Sequence, residues 1–270
     1  MAGQLTLEEA TLAVPKLPTP GWVRALSAGV LLLLLDVLVV QAIGPLPALP
    51  LPRHDHLLRG IVASAGLALV GALAIIVCFE ALFANRRRDL RPFGIVRPRR
   101  IWSGVGIFIG AYLVAVPVAA EVTSRLGLSG SNTPNLHHDS SGEKLFLAFL
   151  LIVGAPWLEE MSVRSMMFSG LVGRFGFWIA AVVSSVLWAL PHVVPGVLIV
   201  IGTLGMLLAF LRQWTGSVLP GMLVHGTQNT IVTLLATGAG WYAAPMPFVL
   251  VATVGVLWWW LPANPASLRS

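Results

Sequence analysis

Glu159 and Glu160 are adjacent, and Arg164 follows one helical turn later, inside the otherwise apolar stretch Leu145 to Phe168. Ionisable side chains at membrane depth are costly and point to a function by default. Farther along, apolar segments carry His192 and the pair His225 and Asn229, the last two four residues apart and therefore on one helical face. Carboxylates, two imidazoles and a carboxamide are the parts of a hydrolytic site.

Spacing separates the roles of the two carboxylates. Glu160 and Arg164 stand at i and i+4, the favourable order for a helical ion pair, while Glu159 projects about 100° away around the helix. Glu160 is then neutralised by Arg164, and Glu159 is placed to take a proton from water as a general base. A base alone does not cleave an amide, because the tetrahedral intermediate carries negative charge on oxygen and needs preorganised donors or a cation. His225 and Asn229 can supply donors from one face. His192 either helps Glu159 hold the attacking water or joins Glu159 and His225 as a ligand to a metal. Glutamate and histidine suit Zn2+, with an open position for the water. The spacing leaves both versions open.

The elements that must hold these groups follow from composition. The chain is 57% hydrophobic and 10% charged, against about 25% charged in soluble domains. Its mean hydropathy is +0.86. This is the composition of a polytopic membrane protein, all-α in class. Apolar runs of spanning length suggest about eight transmembrane helices. They are Trp22 to Ile43, Gly60 to Phe83, Ile101 to Ala120, Leu145 to Phe168, Phe177 to Val194, Val197 to Leu211, Val218 to Ala236 and Met246 to Leu261. The chemistry-bearing residues then lie on helices 4, 5 and 7. Read this way, residues 1–21 are a tail, residues 22–262 a single transmembrane helical domain, and residues 263–270 a second tail.

The net charge of +6 does not point to nucleic acid, because the basic residues concentrate in short connectors between apolar runs. Arg86, Arg87, Arg88, Arg91, Arg97, Arg99 and Arg100 all follow the second expected span, which makes that connector cytoplasmic. With eight spans both termini are cytoplasmic, and Arg174 and Arg212 fall on the same side. The first residues lack the basic start and small-residue cleavage pattern of a secretory signal. The expected location is an integral, multi-pass protein of the plasma membrane, with the lipid bilayer as its partner.

These residues resemble a known family, the CPBP intramembrane proteases, which include the CAAX prenyl endopeptidases and many bacterial Abi-type proteins. Glu159, Glu160 and Arg164 match its first motif, with Ala155-Pro156 just ahead. Trp188-Ala-Leu-Pro-His192 resembles the second, with tryptophan where phenylalanine is usual. His225-Gly-Thr-Gln-Asn229, preceded by Thr215-Gly216-Ser217, matches the third. The resemblance covers about residues 145–234. It implies that Glu159 activates water with His192, that His225 and Asn229 stabilise the oxyanion, and that Zn2+ is a candidate cofactor beside a metal-free mechanism. The implied substrate is a membrane protein or a lipid-anchored peptide.

Other features carry plainer readings. Asp36 is a carboxylate within an apolar run. His54-Asp55-His56 and His137-His138-Asp139 resemble metal clusters but sit in loops without support. Cys78 stands alone, so no disulfide framework exists. Trp258, Trp259 and Trp260 form an interfacial belt. Two rival readings remain: a catalytically silent membrane scaffold or regulator with the same fold, and a solute or proton transporter, which the lack of a sequence repeat disfavours.

Overall fold

The computed structural model describes residues 21–43, 91–130, 141–192, 194–236 and 240–262. The expected span Gly60 to Phe83, Cys78, both loop histidine clusters, Arg86 to Arg88 and the two tails lie outside the described residues, as does the side chain of Asp36.

Every regular element among the described residues is helical. We number them α1 (Trp22–Ile43), α2 (Ile101–Arg125), α3 (Ser141–Phe149), α4 (Ala155–Glu159), α5 (Phe168–Ala189), α6 (Pro195–Thr215), α7 (Leu219–Ala236) and α8 (Met246–Trp260). Among the described residues four helical stretches are long and apolar enough to cross a membrane: Ile101–Arg125, Lys144–His192, Pro195–Thr215 and Trp241–Trp260. The second runs for 49 residues, whereas about 20 suffice to cross a bilayer. It is divided at Gly176, whose backbone (φ 80°, ψ 174°) leaves the helical region in a conformation only glycine adopts readily. That break coincides with the expected boundary between the fourth and fifth spans. α7 carries the polar residues His225, Thr227, Gln228 and Asn229 and is not among those four apolar stretches.

Two π-helical segments, Leu150–Gly154 and Glu160–Met167, flank the short α4. Pro156 explains the first of them. It has no N–H and its ring crowds the preceding turn, so regular α-helical bonding fails there. The Ala155 N–H instead reaches back five residues to the Leu150 carbonyl. The second segment closes the same way, with the Phe168 N–H on Val163. Such bulges widen the helix and re-aim its side chains, and they recur at functional sites.

Close helix approach depends on small residues. A Cβ on Gly205 of α6 would lie 2.8 Å from Ser185 Cβ of α5, and one on Gly170 would lie 2.7 Å from Ala25 Cβ of α1. Large apolar side chains such as Trp102, Leu113, Trp178 and Phe248 face outward, as a lipid-facing surface requires. The arginine-rich connector docks on one end of the bundle. The Arg97 side chain donates to the carbonyls of Trp258 (3.0 Å) and Trp259 (2.9 Å), capping the C-terminus of α8. The Arg99 N–H donates to Thr215 O at 2.9 Å, and Val218 N–H to Gly94 O at 3.0 Å. The connector, the α6–α7 turn and the end of α8 therefore share one face, the arrangement the arginine distribution predicts.

Candidate active site

Glu159 ends α4 and Glu160 opens the second π segment, so the two carboxylates leave the helix where its turn is widened. Both reach His225 on α7. His225 Nε2 lies 3.6 Å from Glu159 Oε2, and His225 Nδ1 lies 3.4 Å from Glu160 Oε1. The imidazole thus stands between two carboxylates that a regular helix would have turned apart.

Their environments differ. Arg164 NH1 lies 3.3 Å from Glu160 Oε1, and both side chains are buried. The same guanidinium donates to the Gly205 carbonyl at 3.2 Å and rests over the Trp188 ring, 4.3 Å from its centroid. The i,i+4 ion pair is present as the spacing predicts, with Glu160 also in contact with His225. The Glu159 side chain retains 12% of its exposure against 1% for Glu160, which makes Glu159 the carboxylate that water can reach. Its Oε2 accepts the indole N–H of Trp188.

His192 closes α5 in a tight 3-10 turn, Leu190–His192, and is partly buried. A straight-helix reckoning sets it several ångströms from Glu159 and His225 along the membrane normal. In the structure its ring meets the edge of Trp188 at 6.2 Å between centroids, while His225 meets Trp188 at 5.2 Å. Both imidazoles therefore border one indole. His192 Nδ1 lies 3.2 Å from the Ala189 carbonyl. Asn229, one turn beyond His225, donates from Nδ2 to the Leu151 carbonyl at 2.7 Å, so one of its two amide hydrogens is engaged in holding α7 against the first π segment. Trp188 was assigned no contact with the carboxylates by sequence reasoning, although its i,i+4 relation to His192 places both on one face. Tyr112 of α2 also reaches this helix, bonding to Gln228 through its hydroxyl.

Whether these residues suit zinc can be tested on the donor set. Glu159 and His225 present an oxygen and a nitrogen close enough to serve as two ligands of one ion. Among the described residues, however, no three histidine, cysteine, aspartate or glutamate side chains gather as an ion requires. Glu159, His192 and His225 as arranged do not make that set.

The segment holding the three motifs is also where comparison with known proteins succeeds. Residues 141–231 match the family described as type II CAAX prenyl endopeptidase Rce1-like. This segment is similar to that family. The match bears out the resemblance read from the motifs. The chain is also 26% identical over 136 residues to "Putative membrane peptidase YdiL" of Bacillus subtilis (strain 168), an alignment covering 50% of this chain and 55% of that protein. The chain thus spans about half the length of that relative. No solved structure matches it. Family and apolar helices together make this an integral membrane protein.

Proposed function

We propose that this protein is an intramembrane endopeptidase that hydrolyses a peptide bond of a membrane or lipid-anchored protein with water activated by Glu159. The observation that carries the reading is the gathering of Glu159, His225 and Trp188 beside a Glu160 that Arg164 neutralises. That cluster lies within the segment matched to the CAAX endopeptidase family.

Glu159 takes a proton from water as the oxygen attacks the scissile carbonyl carbon, and the carbonyl π bond becomes an oxyanion. His225, with the second amide hydrogen of Asn229, supplies donors toward that oxygen. Such donors are worth far more in a dry, preorganised site than in water. Glu159 then returns its proton to the leaving amine as the C–N bond breaks, giving one new carboxylate and one new amine. His192 borders the ring of Trp188 and helps hold the water. No step of this chemistry runs through a metal.

Burial of the cluster requires the substrate strand to unwind before it enters, because a helical peptide bond is shielded by its own turns. The protein is read as multi-pass in the plasma membrane with both termini cytoplasmic, a side set by its arginine connector. The test is to compare membrane-proteome N-termini in cells expressing the wild type or Glu159→Gln at matched levels. New termini confined to the wild type are expected and name the substrate. Identical termini from two folded proteins would move the reading to a silent scaffold.

A further inference from the structure

Trp188 is buried between the polar cluster and an apolar core that includes Val163, Leu204 and Leu208, and its N–H, one ring face and two edges meet polar or charged neighbours. Its N–H donates to Glu159 Oε2. The Arg164 guanidinium lies over the ring face at 4.3 Å. His225 and His192 approach the ring nearly edge-on, at interplanar angles of 78° and 80°. An aromatic that only filled space would need no nitrogen here, since phenylalanine offers a ring without a polar atom to bury.

We propose that Trp188 is a positioning residue for the general base, its indole N–H fixing one oxygen of Glu159 so that the other faces the attacking water. Indole is a donor only and accepts no proton, so it holds the carboxylate without competing for the proton the reaction moves. The carboxylate would otherwise rotate among neighbouring donors, including the imidazole of His225. A cation above the ring and an acceptor at its N–H draw on the ring in the same direction, so Arg164 reinforces the bond. Arg164 thereby serves both carboxylates, Glu160 by direct contact and Glu159 through the indole. This inference rests on the peptidase reading and adds the residue that aims its base.

The test replaces one atom. Full-length protein carrying 3-benzothienylalanine at position 188 keeps the bicyclic shape and the stacking but has sulfur in place of N–H. Trp188→Phe serves as a second, genetically encoded variant. Both are reconstituted in vesicles and assayed on the substrate peptide identified from the wild-type-specific N-termini. Loss of a charge-assisted hydrogen bond predicts a kcat lower by about tenfold or more. For the benzothienyl variant KM and the thermal unfolding midpoint should stay at their wild-type values, since packing is preserved, whereas Trp188→Phe leaves a cavity and is read by its kcat alone. A kcat equal to that of the wild type overturns the inference, as does a loss in the benzothienyl variant carried by KM or by unfolding. In either case a wild type that cleaves while Glu159→Gln does not leaves the peptidase reading standing. A wild type that cleaves no better than Glu159→Gln contradicts both.

Discussion

The Asn229 amide donates to the carbonyl of Leu151 at 2.7 Å, across the interface between α7 and the first π segment. The reason lies in the sequence just after Leu151. The Ala155 N–H is taken by Leu150, and the next residue, Pro156, has no N–H to offer. The Leu151 carbonyl is therefore left over by its own helix, and a carbonyl partly shielded from water at a helix interface needs a partner. Asn229 supplies it, which fixes the depth of α7 relative to the glutamates and sets His225 between them.

Asn229→Ala should accordingly destabilise the protein as well as slow it. An orphaned buried carbonyl costs about 1–3 kcal/mol, and the partly buried Leu151 carbonyl should cost toward the lower end. The thermal unfolding midpoint in detergent should fall. An unchanged midpoint with lost activity would instead assign Asn229 wholly to the oxyanion.

Arg164→Ala should sharply reduce the amount of protein that accumulates in membranes. Removing one partner of a buried ion pair costs about 3–5 kcal/mol, and here it also strips the cation from the Trp188 ring. Replacing both partners, as in Glu160→Met with Arg164→Met, should recover part of the accumulation because no charge is then stranded. Immunoblotting of membrane fractions reads both. Normal accumulation of Arg164→Ala would remove the structural role of the pair.

Gly221 lies on α7 one turn before His225, and a Cβ there would sit 2.7 Å from Glu160 Oε2. Glu160 cannot swing away without losing Arg164 and His225. Gly221→Ala should therefore overpack the site, at about 1–3 kcal/mol, and lower both accumulation and cleavage. Gly255 on α8 meets nothing within 4 Å, so Gly255→Ala should be neutral and serves as the control.

The helices and the site residues were legible for distinct reasons. Composition and apolar run length located α1, α2, α6 and α8, and Gly176 falls at the break expected between the fourth and fifth spans. The Glu160–Arg164 pair followed from helical spacing alone. What spacing could not give was the π geometry. On a regular helix Glu159 and Glu160 point about 100° apart, yet both contact His225. Pro156 was visible as a family-like residue, but its effect on Leu151, and so on Asn229, depends on which N–H each carbonyl finds. The contact of Trp188 with Glu159 joins residues 29 apart in sequence, a relation that no local periodicity encodes.

The most direct test of Glu159 as the base uses purified protein in vesicles and the substrate named by the membrane N-termini, with cleavage run in 18O-labelled water. The wild type should produce a new C-terminal carboxylate carrying 18O from solvent. Glu159→Gln, equally folded, should yield no product above the uncatalysed background. Cleavage by Glu159→Gln at the wild-type rate would contradict the assignment of Glu159 as the base.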